Sequence, residues 1–299
     1  MHANQLSLGL TEAVRLVRGL LPSTDASEVV AVESSGTVNY LYRIGPGFAA
    51  RFPMQGTDAA LARETLLAEH AAMREFAAVS TVPSPVPVAI GEPSADYPLP
   101  WSIQTWIEGE TATATSAASS TAFALDLAAL IASLRQADTK GRSFSGGGRG
   151  GELVTHDGWV AQCLRRSEGL LPVDRLRLAW SSLRLLPRHG DDVMSHKDLI
   201  PGNVVVGADC LAGILDTGGF GPADPALDLV AAWHMLDSSR RNVLRTTLAI
   251  GDPEWRRGAA WAFEQAIGLV WYYADTNPAM SALGRSTLER LLADPALAL

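Results

Sequence analysis

The chain has 299 residues, 47% of them apolar and 19% charged, which is enough for a packed core in one two-lobed fold or two modest domains and excludes disorder. A net charge of −8 argues against a nucleic-acid binder, which would carry a basic face; it suits a cationic small ligand, and equally a soluble surface. Two cysteines without metal or redox spacing, a start lacking the basic residues of a signal peptide and no run of ~18 apolar residues predict a cytoplasmic protein without membrane segments.

In chain order, residues 11–21 have the apolar spacing of a helix ended by Pro22, and residues 29–32 read as a strand. Glu33-Ser34-Ser35-Gly36-Thr37 follows as a turn. Residues 40–44 and 48–52 flank Gly45-Pro46-Gly47, a hairpin signal. The second of these strands carries Arg51. The only lysines are Lys140 and Lys197, so no lysine precedes residue 140, and Arg51 either grips an anion or caps a surface strand. Residues 59–76 have helical spacing, with Leu61, Leu66, Leu67, Met73 and Phe76 as core candidates and Glu64 and Glu69 as possible partners for Arg51.

The prolines of residues 81–88 exclude helix and lead into a strand. Trp101 leads into a further β-run, residues 102–107, and Trp101 and Trp106 suit core packing better than stacking on a ligand. A small-residue stretch, 111–121, precedes a helix over 122–135. Gly146-Gly147-Gly148-Arg149-Gly150-Gly151 is the most flexible segment and reads as a linker, with a mobile loop near a binding site as the alternative.

The chemistry concentrates in Ser195-His196-Lys197-Asp198-Leu199-Ile200-Pro201-Gly202-Asn203 and Ile214-Leu215-Asp216-Thr217-Gly218. The spacing fits the catalytic loop H-R-D-L-x-x-x-N of phosphoryl-transfer enzymes, with Lys for Arg, and Asp216-Thr217-Gly218 stands where D-F-G would. Transfer of a γ-phosphoryl group requires an oriented hydroxyl and a hard cation against the phosphates. Asp198 is the candidate to accept the hydroxyl proton. Asn203 and Asp216 are the candidate oxygen ligands for Mg²⁺. Pro201-Gly202 should turn the chain so that Asp198 and Asn203 converge, and the runs 204–206 and 211–215 should form a hairpin around Gly207-Ala208-Asp209.

On these residues the chain resembles the aminoglycoside phosphotransferase family of small-molecule kinases, through HKDLIPGN, ILDTGGFGPADPALDLV, the strands at 39–44 and 51–53 and the segment 101–109. The resemblance implies an α+β, two-lobed, protein-kinase-like fold. A small antiparallel lobe (1–104) would bind nucleotide, and a larger helical lobe (105–299) would carry catalysis and the acceptor. It implies ATP or GTP as co-substrate and a hydroxyl on a small molecule as acceptor, plausible acceptors being an aminoglycoside or macrolide antibiotic. A sugar or amino-alcohol metabolite, or a nucleotide-binding pseudokinase, stand as alternatives. It places Ser35 and Gly36 over the phosphates, Arg51 with Glu69 in the phosphate grip, and Gln104, Trp106 and Ile107 at the adenine hinge. His196 and Asp228 would support the loop. Acidic residues of the helical region, Asp237, Glu264 and Asp275, would be the acceptor candidates, each of which is equally a solvated carboxylate. A monomer or homodimer is expected.

Overall fold

In the computed structural model, which describes residues 6–32, 38–188 and 190–297, the chain opens with α1 (Leu10–Leu20), an amphipathic helix burying Ala13 and Val17 one turn apart. Then come β1 (Val29–Ala31), β2 (Asn39–Ile44), β3 (Phe48–Pro53), α2 (Ala59–Val79), β4 (Pro87–Gly91) and β5 (Trp101–Thr105). The strands form one antiparallel sheet in the order β1-β2-β3-β5-β4. Gly45, at φ 52°, makes the reversal between β2 and β3 that a side chain would strain. Ala13 and Val17 join Tyr42, Phe52, Tyr97, Trp101 and Ile103 in the core of this unit.

Phe52 stacks on Trp101 at 4.6 Å and meets Tyr97 edge-on at 5.3 Å, so Trp101 is a core residue. In α2 the buried side chains are Leu66, His70, Met73 and Phe76, one row at helical spacing. Leu61 and Leu67, expected in the core, fall off that row and are 61% and 50% exposed.

By its internal packing the chain forms two compact units. The first holds the described residues up to Ala78, then Pro83–Glu108 and Asp216–Gly218; the second holds Val79–Val82, Gly109–Leu215 and the described residues from Gly219 onward.

The second unit contains β6 (Glu110–Thr111), α3 (Thr121–Gln136), α4 (Asp157–Arg166), α5 (Val173–Leu183), β7 (Val193–Ser195), β8 (Val204–Gly207), β9 (Cys210–Ile214) and β10 (Gly221–Ala223). It ends with α6 (Val230–Met235), α7 (Ser238–Thr247), α8 (Asp252–Tyr272) and α9 (Pro278–Leu292). Ser120 caps α3 by accepting from the Phe123 N–H at 3.1 Å. A 3₁₀ turn, Leu227–Leu229, leads directly into α6.

The expected hairpin is β8–β9, turned by Ala208 and Asp209 at φ 49° and 64°. The tryptophans of the carboxy-terminal third mostly pack. Trp233 lies 4.5 Å from Trp255, and Trp180 stacks on Phe263 of α8. Among the described residues no helix is long and apolar enough to cross a membrane.

Candidate active site

β7 ends at Ser195 and delivers residues 196–198 into a loop braced by one buried carboxylate. Asp228, 3% exposed, accepts from Ser195 Oγ (2.8 Å) and the Lys197 N–H (3.1 Å) on Oδ1, and from the His196 N–H (3.0 Å) on Oδ2. Those bonds hold Lys197 at φ 71°, a backbone setting unfavourable to a side chain. Burial also pulls the Lys197 ammonium below its usual range, against the opposing pull of Asp228.

His196 is fixed through both ring nitrogens. Nδ1 accepts from the Asp198 N–H at 3.3 Å, so Nε2 carries the hydrogen and donates to the Leu215 carbonyl at 2.9 Å. His196 thus orients Asp198 through its backbone. The 3₁₀ turn Pro201–Asn203 brings Asn203 back, and its Nδ2 donates to the Asp198 carbonyl (2.9 Å) and to Asp198 Oδ2 (3.1 Å). The Leu215 N–H donates to the Asn203 carbonyl at 2.8 Å, one residue before Asp216.

Asp216 belongs to the first unit, with Arg51 and Glu69. Arg51 pairs with Asp216 Oδ1 at 3.2 Å. The expected Arg51–Glu69 ion pair does not form: Glu69 lies close enough for the guanidinium to lower its carboxyl pKa, but burial prevails and raises it, and Asp216 adds to the rise. Gly218 explains how the segment fits beside α2, since a Cβ there would lie 3.1 Å from the Glu69 side chain.

At the expected hinge, Gln104 sits in β5 opposite Ala49. The Trp106 N–H is taken by the Gly47 carbonyl at 2.8 Å, and its ring lies under the Arg43 guanidinium at 5.0 Å. Trp106 therefore has no backbone N–H to offer an adenine; the Ile107 N–H makes no hydrogen bond among the described residues. Ser35 and Gly36 lie outside the described residues.

Residues 29–261 match the sequence profile of the phosphotransferase enzyme family. The chain belongs to that family. No curated protein sequence matches the chain. Among solved structures, this phosphotransferase is similar to the GDP complex of aminoglycoside 2'-phosphotransferase-IIIa, at TM-score 0.70 and 17% identity, over 95% of this chain and 99% of that one. It is similar also to macrolide 2'-phosphotransferase MphH from Brachybacterium faecium, at TM-score 0.62 and 18% identity, over 91% and 97% of the two chains. At these identities the likeness shows the fold: α+β and protein-kinase-like, with a small antiparallel sheet unit and a larger helical one.

The phosphotransferase surrounds Asp198 with residues the sequence did not reveal. Asp198 Oδ1 accepts from Arg149 (3.1 Å) and from Gln265 Nε2 (3.1 Å). Gln265 is held from behind, because His234 Nε2 is 2.9 Å from its Oε1, and His234 Nδ1 is 2.9 Å from Thr287 Oγ1. His234 is fully buried, which pushes its pKa down to about 4 and keeps it neutral as a link in this chain. No motif marks Gln265 or His234, which are 31 residues apart.

Of the acceptor candidates, Glu264 stands near Asp198's partners. It is 4% exposed, with Oε1 2.9 Å from His156 Nδ1 and Oε2 3.7 Å from Arg149. Arg149, Glu264, Gln265, Trp159, Tyr272 and Tyr273 line part of a cavity of about 390 Å³. Asp237 is instead the N-cap of α7, accepting from the Arg240 N–H at 2.8 Å, so its side chain is occupied by the helix end. Asp275 is exposed in the turn after α8 and makes no ion pair among the described residues.

The glycine-rich segment is anchored at one end. The Gly150 carbonyl accepts from the Asp224 N–H at 2.9 Å and the Gly151 carbonyl from Arg257 at 2.7 Å, and Asp224 and Arg257 form a buried ion pair.

Proposed function

We propose that this phosphotransferase moves the γ-phosphate of ATP or GTP to a hydroxyl of a small molecule, with aminoglycoside and macrolide antibiotics the first acceptors to test. The observation that carries this reading is the Asp198–Asn203 pair, held at 3.1 Å on a loop that Asp228 and His196 fix. Asp198 is the general base: it orients the acceptor hydroxyl and takes its proton as the oxygen–phosphorus bond forms.

Asn203 and Asp216 would each supply an oxygen ligand to Mg²⁺. Asn203 uses Nδ2 for its hydrogen bonds, and neither its Oδ1 nor Asp216 Oδ2 is hydrogen-bonded among the described residues, so each offers a hard oxygen. Bound there, Mg²⁺ would neutralise phosphate charge. Arg51 exchanges its resting contact with Asp216 for phosphate oxygens, with Glu69 behind it, Ser35 and Gly36 cover the phosphates, and Gln104 and Ile107 frame the base through their backbone. The two free thiols and the nucleotide co-substrate support action in the cytoplasm.

The test is an acceptor panel with purified protein, Mg²⁺ and either nucleotide, read by nucleoside-diphosphate release. Asp198→Ala should lower turnover at least about a thousandfold while nucleotide affinity stays within about threefold. Turnover that survives in Asp198→Ala would refute the assignment of the base.

A further inference from the structure

Asp198 and Glu264 share a cation that the protein itself supplies. Arg149 lies 3.1 Å from Asp198 Oδ1 and 3.7 Å from Glu264 Oε2. Glu264 is 4% exposed, and its Oε2 is a buried oxygen with no hydrogen bond, as Arg149 Nε is a buried donor with none. The guanidinium therefore balances the acid without saturating it. Its placement is built in: the two residues after Arg149 are tied to the buried Asp224–Arg257 pair, while the glycines before it meet nothing within 4 Å of where a Cβ would stand.

The neighbouring cavity carries one acid, Glu264, against one guanidinium, Arg149. Its wall is aromatic, with Trp159 and Tyr272 40% and 48% exposed. The cavity's one lining carboxylate, Glu264, faces that guanidinium, which Asp198 also shares.

Resting on the reading of Asp198 as the base, we propose that Arg149 is a specificity-determining residue. It fills the cation position between Asp198 and Glu264, so that the acceptor is an uncharged hydroxylated ring compound and polyaminated acceptors are disfavoured. A hydroxyl can accept from the Arg149 guanidinium, whereas an ammonium only donates and is repelled by it. The apolar face of a sugar-like ring packs on Trp159 and Tyr272.

The experiment compares wild type, Arg149→Gln and Arg149→Lys in two assays. One is binding of kanamycin, a polyaminated sugar, followed by tryptophan fluorescence. The other is phosphate transfer to a panel of uncharged and polyaminated sugars. Arg149→Gln should bind kanamycin about tenfold or more tighter than wild type, and Arg149→Lys, which keeps the charge, should stay within about threefold. Wild-type kcat/KM should be higher for uncharged sugars.

An unchanged kanamycin affinity in Arg149→Gln, or a wild-type kcat/KM for kanamycin above that of every uncharged sugar, overturns the proposal. If kanamycin binding tightens but no compound is phosphorylated, the role of Arg149 stands and the phosphotransfer reading falls. If transfer occurs and Arg149→Gln changes no selectivity, only Arg149 is misassigned.

Discussion

His234 and Gln265, on different helices, meet at 2.9 Å inside the larger unit, and through that contact a fully buried imidazole sets the position of an amide that touches Asp198. His234→Phe would leave Gln265 Oε1 and Thr287 Oγ1 without their partner. The expected loss of stability is about 1–3 kcal/mol, seen as a lower denaturation midpoint. Gln265→Leu keeps the bulk but removes the donor to Asp198. It should lower kcat about tenfold with nucleotide KM little changed, a split that steady-state kinetics resolves.

The same histidine sets a pH dependence. Its folded pKa of about 4 lies below the ordinary imidazole value of 6.5, so the unfolded chain binds the proton first as pH falls. Above pH 6.5 the group contributes nothing to the pH dependence; between 6.5 and 4 stability should fall, by about 3 kcal/mol in all. Urea titrations at pH 7 and pH 4.5 should show that loss, and His234→Phe should flatten it. An equal slope in both proteins would contradict the assignment.

Asp228 organises three donors at once. Asp228→Ala would strand the Ser195 hydroxyl and the His196 and Lys197 amides in the interior and should cost about 3 kcal/mol or more. Asp228→Asn keeps one acceptor oxygen and should lose less. Hydrogen exchange of the His196 and Lys197 amides should rise most in the alanine variant.

The Asp224–Arg257 pair is buried on both sides, at 1% and 0% side-chain exposure. Removing one partner leaves an uncompensated buried charge, so Arg257→Met alone should cost about 3–5 kcal/mol. Asp224→Ala combined with Arg257→Met should recover part of that loss in a double-mutant cycle. Because both residues also hold Gly150 and Gly151, limited proteolysis should cut the 146–151 segment faster in the single variant.

Arg51 and Asp216 provide the opposite case. With Asp216 55% exposed, their ion pair should contribute no more than about 1 kcal/mol to stability. Arg51→Ala should therefore melt near wild type while nucleotide KM rises about tenfold or more, since the proposed role is phosphate binding. A large fall in melting temperature with unchanged KM would make Arg51 structural.

The local spacing of His196, Asp198, Asn203 and Asp216 was readable in the sequence because the geometry of this loop is set by short-range turns and one hairpin. The alternating strands around Gly45-Pro46-Gly47 were readable for the same reason, as periodicity and turn chemistry act over a few residues. Side chains that meet across long stretches of chain leave no such trace. Arg51 found Asp216 instead of Glu69, and Asp237 proved to be a helix cap. Arg149, in a segment that reads as a linker, reached Asp198. Gln265, His234 and His156 took their roles only when α8, α6 and the turn before α4 packed together. Sequence by itself determined the family's motif and the elements that carry it; tertiary packing decided which charges face each other, because burial and the partner's distance, and not residue type, set the electrostatics of a site.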